Sequence, residues 1–218
     1  QLSIDQTIFP LSSLFVSNPL RLDKSANAHQ GNRRRCPLGL KDRIHSLISR
    51  SSAYASHQGT TYKAAYEFCI HTGSDPYEAN LVADHMVKAN LRGHDSHGVG
   101  MIAMYTDYLK RGQLHPNTPP TILKDKAILQ FKGNLGYGQR AGYEATAQAI
   151  ERAKETGICM YTIANCCHLG RIGTYGEQAA DAGMISIHFV NVQNFGTLVA
   201  PYCGSEARSA RIPSALRM

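Results

Sequence analysis

Residues 127–165 read AILQFKGNLGYGQRAGYEATAQAIERAKETGICMYTIAN, and the fold follows from how this stretch divides. AILQF and ICMYTIAN have the short apolar pattern of strands, and QRAGYEATAQAIERAKETG between them has the spacing of a helix. Strand, glycine-rich turn, helix and strand follow in the order that a βαβ unit requires. A Rossmann nucleotide site would look much the same, but two details fail. From Gly136 the glycines are spaced G-x-G-x-x-x-G, and the second strand ends at Asn165 with no Asp or Glu near to hold a ribose hydroxyl. Gly136 and Gly138 therefore read as turn residues.

Working outward toward the C-terminus, IGTYGEQAADAG reads as a short helix and MISIHFVNV as a strand. Toward the N-terminus, HPNTPP (115–120) holds three prolines and can be neither helix nor central strand. Before it lie three helical stretches. YKAAYEFCIHTG places Ala65, Phe68 and Cys69 on one face and stops at Gly73, suited to a left-handed cap. The next helix has Asp75 as N-cap, Pro76 at its first position and Glu78 where a capping box wants it, with Val82, Met86 and Ala89 along one face down to Gly93. After the loop GHDSHG, VGMIAMYTDYLKRG reads as the third. Helices followed by alternating strands and helices define an α/β class with a helical N-terminal portion.

The first sixty residues show no sustained period. They read as a disordered or targeting extension (1–60), Arg- and Ser-rich and acid-poor, with the run Arg33, Arg34, Arg35. The chain of 218 residues carries a formal charge of +7, which points at first sight to nucleic acid. That charge is concentrated in residues 1–60, where eight Lys/Arg face three Asp/Glu, and the remainder is nearly balanced. Without a basic stripe interleaved with aromatics, a nucleic-acid partner is not expected. Apolar runs fall short of the roughly 18–20 residues of a membrane helix, so no membrane partner is expected either. The six cysteines (Cys36, Cys69, Cys159, Cys166, Cys167, Cys203) are too few and scattered for a disulfide framework. A reducing, cytoplasmic setting is expected, with a mitochondrial one as the alternative that the leader suggests.

Chemistry concentrates in two places. NCCHLGRIG (165–173) puts His168 where a strand hands over to a glycine-opened helix, the usual position in an α/β unit for a side chain to meet a ligand. An unperturbed imidazole titrates at about 6.5 and can exchange a proton near neutral pH. Cys166, Cys167 and His168, or His94, Asp95 and His97, could be drawn as metal sets, but neighbours on an extended segment point to opposite faces and no zinc-type spacing is present. No metal is expected. Cys167 is badly placed to use His168 as a base, so both cysteines read as small packing residues, and His188 reads as a hydrogen-bonded core histidine. In the loop HDSHG, Ser96 and His97 are compact donors held between Gly93 and Gly98, suited to a carboxylate or carbonyl and equally to a solvated turn.

NLRGHDSHGVGMI, GNLGYGQRAGYEA, NCCHLGRIGTYGEQAADAGMISIHFVN and VAPYCGSEAR together resemble the malate/L-lactate dehydrogenase family, NAD(P)-dependent oxidoreductases of non-Rossmann fold, and most of all its hydroxycarboxylate dehydrogenase branch. The resemblance runs from about Tyr62 to Arg208, defining a partial dehydrogenase domain over 61–208. It implies a 2-oxo/2-hydroxy acid substrate, NAD or NADP as cofactor, and a homodimer. It further implies His168 as proton donor and acceptor, His97 against nicotinamide and substrate with Ser96 helping to orient the latter, and Gly170, Arg171 and Ile172 on the dinucleotide. Two departures stand out. Many members carry an arginine four residues after the motif histidine, where this chain has Met101. Members also continue through G-T-N-P, whereas this chain ends SARIPSALRM; codons that can encode that tail give GTNPFGAAM when read in another frame, so 209–218 is expected to be a frame-shifted segment. The alternative to a working oxidoreductase is an inactive, truncated fragment that associates with intact subunits.

Overall fold

The computed structural model describes residues 11–17, 59–190, 205 and 214–217, the first and last of these strands by backbone alone. Helix α1 (59–71) is followed by α2 (Pro76–Leu91), two single 3-10 turns (Asp95–His97 and Val99–Met101) and α3 (Ile102–Lys110). Strands β2 (Thr121–Asp125) and β3 (Ile128–Lys132), helix α4 (Gly138–Thr156), strand β4 (Ile158–Ala164), helix α5 (Gly173–Asp181) and strand β5 (Met184–Phe189) come next. Strand β1 (Leu11–Ser17) precedes them all and β6 (Ser214–Arg217) follows.

The sheet runs β2-β3-β4-β1-β5-β6. β3 and β4 are parallel, as a helical crossover through α4 demands. β1 lies antiparallel to both β4 and β5, with Leu14 opposite Met160 on one side and Ile187 on the other. The strands β4 and β5 thus run the same way, joined by α5, with one strand's width between them that β1 occupies. Of residues 1–60, read from the sequence as a disordered or targeting extension, the stretch 11–17 pairs into the sheet as β1. The Arg33–Arg35 run, Cys36, Cys203, VAPYCGSEAR except Ser205, and the end of MISIHFVNV beyond Val190 lie outside the described residues. Strand β2 was not legible in the sequence. All five of its residues are exposed, so no apolar alternation marks it.

Two cores result. In the first, Leu129, Phe131, Tyr161 and Ile163 on the strands meet a stripe of Ala141, Ala145, Ala149 and Ala153 spaced four apart along α4. A methyl at every fourth position lets the helix lie close on the sheet, and Phe131 meets Tyr161 edge to face at 6.1 Å. The second is helical: Ala65, Cys69, Val82, Met86, Tyr105 and Tyr137 gather α1, α2 and α3.

Asp75 caps α2 as the sequence implies, its Oδ1 accepting from Glu78 N at 2.8 Å. The reciprocal half of the capping box is absent. Glu78 turns inward, fully buried, and accepts from Ser74 Oγ and Asn117 N, both at 2.8 Å, while Arg140 approaches its other oxygen at 3.4 Å. Asn117, at φ 56° in the proline loop, takes the vacated role by accepting from Asp75 N. A buried carboxylate has to be paired, and these partners tie α2, the proline loop and α4 together.

Candidate functional site

The segment after β4 is shaped by backbone contacts with the glycine loop before α4. Gly133 N donates to Ala164 O, Leu135 N to Asn165 O, and Cys167 N to Gly136 O, at 2.8, 2.8 and 3.0 Å. A Cβ on Gly138 would strike the carbonyls of Cys167 and His168, and one on Gly133 would strike Cys166. Gly136 and Gly138 are therefore more than turn residues: Gly138, with Gly133, lets the loop press against the segment that carries His168, and a Cβ on Gly136 would strike Thr118 O in the proline loop. With Asn165 turning the chain at φ 54°, the next two side chains part as alternation requires. Cys166 packs on the sheet core and Cys167 enters the helical core. Burial pushes both thiols up, to about 12 and about 11, so neither is a ready nucleophile.

His168 emerges half-buried between the two cores. Its Nδ1 is 3.1 Å from the hydroxyl of Tyr105, a side chain with no exposure at all. Its ring lies 4.9 Å from that of His97, and His97 lies 4.3 Å from His94. Ser96 Oγ is 2.9 Å from His97 Nδ1. The loop that presents them is pinned from α2, where Asn90 donates to Asp95 and accepts from Val99 N at 3.0 Å. Ser96, His97 and His168, singled out separately in the sequence, are thus brought together.

Gly170 and Arg171, with Ile172 next in the chain, meet an imidazole that sequence reasoning missed. His85 is buried on α2, and its Nε2 accepts from Arg171 N at 2.7 Å. Gly170, at φ 71°, packs against the same ring. Arg171 and Ile172 are buried, and the Arg171 guanidinium pairs with Glu177 at 2.6 Å. Its Nε, the Thr174 hydroxyl and Gln178 Oε1 are buried without a protein partner. Thr174 and Gln178 line a cleft of about 560 Å³ whose wall also includes His85, Lys88, Gln139 and Tyr143. His85, Tyr105 and Gln139 gave no signal in the sequence because each sits at helical spacing on a core-facing side.

Two of the imidazoles, His168 and His85, are held in their neutral forms. Burial, then the neighbouring charge of His97, pulls His168 from 6.5 to about 4. Burial, then Arg171, His168 and His97, pulls His85 to about 3. His168 thus departs from the 6.5 of an unperturbed imidazole, and at neutral pH the free site offers a base. His188, fully buried with Nε2 3.0 Å from Ser186 Oγ, is the core histidine its strand position implied. Among the described residues no group of three or more His, Cys, Asp or Glu side chains is arranged to hold a metal ion. Met101 packs against the helical core and offers no charge to a carboxylate.

Residues 60–216 match the malate/L-lactate dehydrogenase family, and the chain belongs to that family. It is 44% identical over 142 residues to hydroxycarboxylate dehydrogenase B of Escherichia coli, covering 65% of this chain and 39% of that protein. It is 37% identical over 136 residues to L-lactate dehydrogenase of Cupriavidus necator, covering 62% and 39%. The malate dehydrogenase structure from Entamoeba histolytica superposes with a TM-score of 0.67 at 32% identity, covering 73% of this chain and 44% of that one. The chain spans about two fifths of the length of these curated relatives. The family match reaches beyond Arg208, where the motif resemblance stopped.

Proposed function

We propose that this chain belongs to an oxidoreductase that interconverts 2-hydroxy and 2-oxo acids with NAD or NADP, His168 being the proton donor and acceptor. The observation that carries the reading is the placement of His168. It is half-buried at the end of β4, with Nδ1 engaged by Tyr105 and the ring facing His97. One ring nitrogen is held by the protein and the other is left for a ligand, as general acid–base work requires.

In the oxidation direction the neutral imidazole takes the hydroxyl proton of the 2-hydroxy acid at Nε2. In the reduction direction the imidazolium returns it to the carbonyl oxygen. A bound carboxylate brings a negative charge beside the ring and raises its proton affinity, opposing the depression seen in the free site. Ser96 and His97 orient the substrate's oxygens from the adjacent turn. The nicotinamide cofactor, when bound, supplies the hydride chemistry. The unpartnered Thr174 hydroxyl on the cleft wall fits a polar group of that kind, and the buried, unpartnered Arg171 Nε stands three residues before it, with Gly170 and Ile172 shaping the same turn. With Met101 in place of a clamping arginine, a substrate with an apolar substituent is favoured over a dicarboxylate. A homodimer, which the family implies, and a cytoplasmic setting, which the scattered cysteines suggest with a mitochondrial one as the alternative, are part of the proposal.

The test is oxidation of NADH and NADPH by the chain with a panel of 2-oxo acids, run beside His168→Gln. Reduction with at least one acid, lost by about 10²-fold or more in the variant, supports the reading. Turnover that survives the substitution refutes it.

A further inference from the structure

Gln139 is a buried amide in the first turn of α4 that the reaction above leaves without a task. Its Nε2 position lies 2.6 Å from the Tyr105 hydroxyl, and that hydroxyl lies 3.1 Å from His168 Nδ1. Its Oε1 is buried and meets no donor. The two ends of an amide have the same shape and are told apart by their partners. Hydrogen bonds from N–H to oxygen span about 2.7–3.2 Å, and those from O–H to oxygen about 2.5–3.0 Å. The 2.6 Å contact belongs to the second range and the 3.1 Å contact to the first. Exchanging the ends of the amide satisfies both lengths at once. Tyr105 O–H then donates to the amide oxygen, and His168 Nδ1–H donates to the tyrosine oxygen. The amide nitrogen then takes the buried place that the oxygen held, and the contact lengths distinguish the two orientations. Burial raises the Tyr105 phenol well above its ordinary range, so it keeps the one hydrogen this chain needs.

We propose that Gln139 is a positioning residue: as the terminal acceptor it obliges Tyr105 to accept from His168, which fixes the Nδ1–H tautomer and leaves Nε2 as the atom that exchanges a proton with the ligand. The proposal rests on His168 being the acid/base. With the opposite polarity, Tyr105 would donate to Nδ1, the proton would sit on Nε2, and the ring could not receive one there from a hydroxy acid.

The direct test is the tautomer of His168 in the ¹⁵N-labelled 218-residue chain at neutral pH, read from two-bond ¹⁵N–¹H correlations and identified by the signals that vanish in His168→Gln. The wild type is expected to show protonated Nδ1 and bare Nε2. Gln139→Met removes the terminal acceptor, turns the Tyr105 hydroxyl toward His168 and moves the proton to Nε2, whereas Gln139→Glu keeps it on Nδ1. A wild type protonated on Nε2, or a folded Gln139→Met protein with an unchanged pattern, overturns the proposal. Should Gln139→Met lose its fold, Tyr105→Phe serves: His168 Nδ1–H loses its acceptor and both tautomers appear, and an unchanged single tautomer overturns it. A chain with the Nδ1–H tautomer that reduces no 2-oxo acid refutes the reaction and leaves the relay standing. A chain that turns over with the proton on Nε2 does the reverse.

Discussion

At the scale of single residues, the molecule's histidines set its response to pH. His85, His168 and His188 are held neutral in the fold, at about 3, about 4 and about 4, against 6.5 when exposed. The unfolded chain therefore binds protons that the folded chain refuses, and stability is fully present above pH 6.5 and declines as pH falls toward 4. Each unit of depression corresponds to about 1.4 kcal/mol. Thermal melts from pH 8 to pH 4 are expected to show a falling transition temperature that begins near pH 6.5, and the fall should shrink in His188→Asn. A flat profile across that window would show that these imidazoles are hydrated. The thiols give a second prediction at this scale. Cys166 and Cys167, raised by burial, should resist iodoacetamide in the native chain and react fully once it is denatured, as mass spectrometry of the two positions can read.

His168, Ser96 and His97 were legible in the sequence because each stands in a glycine-bounded turn where a packing role is hard to assign. The side chains that hold them were not. Tyr105 and His85 sit on helix faces where an apolar neighbour is the ordinary reading, and a buried amide such as Gln139 in a helix's first turn carries no distinguishing spacing. What decides their roles is a contact across 34 or more positions of sequence, which no local pattern records.

At the scale of elements, the glycines of GNLGYG act through close approach. Gly138→Val would put side-chain carbon onto the carbonyls of Cys167 and His168 and displace the histidine. We expect a loss of about 1–3 kcal/mol from overpacking, with turnover falling further than stability. Chemical denaturation paired with the NADH assay separates the two effects. Glu78→Ala is the harsher change, because Arg140 and Asn117 N lose a fully buried acceptor. A loss of about 3–5 kcal/mol is expected from breaking a buried pair on one side, against about 1 kcal/mol for Asp75→Ala at the exposed cap. Equal losses in the two variants would mean that Glu78 contributes only as a cap. Helices α1 to α5 and strands β3 to β5 could be read from spacing and caps. Strand β2 could not, since an edge strand exposed along its whole length has no apolar face to announce it.

At the scale of the whole molecule, the sheet depends on a strand drawn from a distant part of the sequence. β1 fills the width between β4 and β5, and its pairing satisfies the facing backbone groups of both. Replacing residues 11–17 with a Gly/Ser segment is expected to leave two strand edges open and to cause association, visible by light scattering. A variant that keeps the size of the parent chain and melts cooperatively would show that this pairing contributes little. The two cores meet along the segment from Asn165 to Gly170, and this is where His168, His97 and the Tyr105 hydroxyl converge. The central claim is that this convergence exists to exchange one proton with a 2-hydroxy or 2-oxo acid. The most direct measurement is the rate of NADH oxidation with 2-oxo acids by the native chain and by His168→Gln, with matched melting curves to show that both are folded. Substrate-dependent oxidation in the native chain, lost by about 10²-fold or more in the variant, is the predicted result; a folded native chain that reduces none of the acids, or a variant that reduces them as fast, would contradict it.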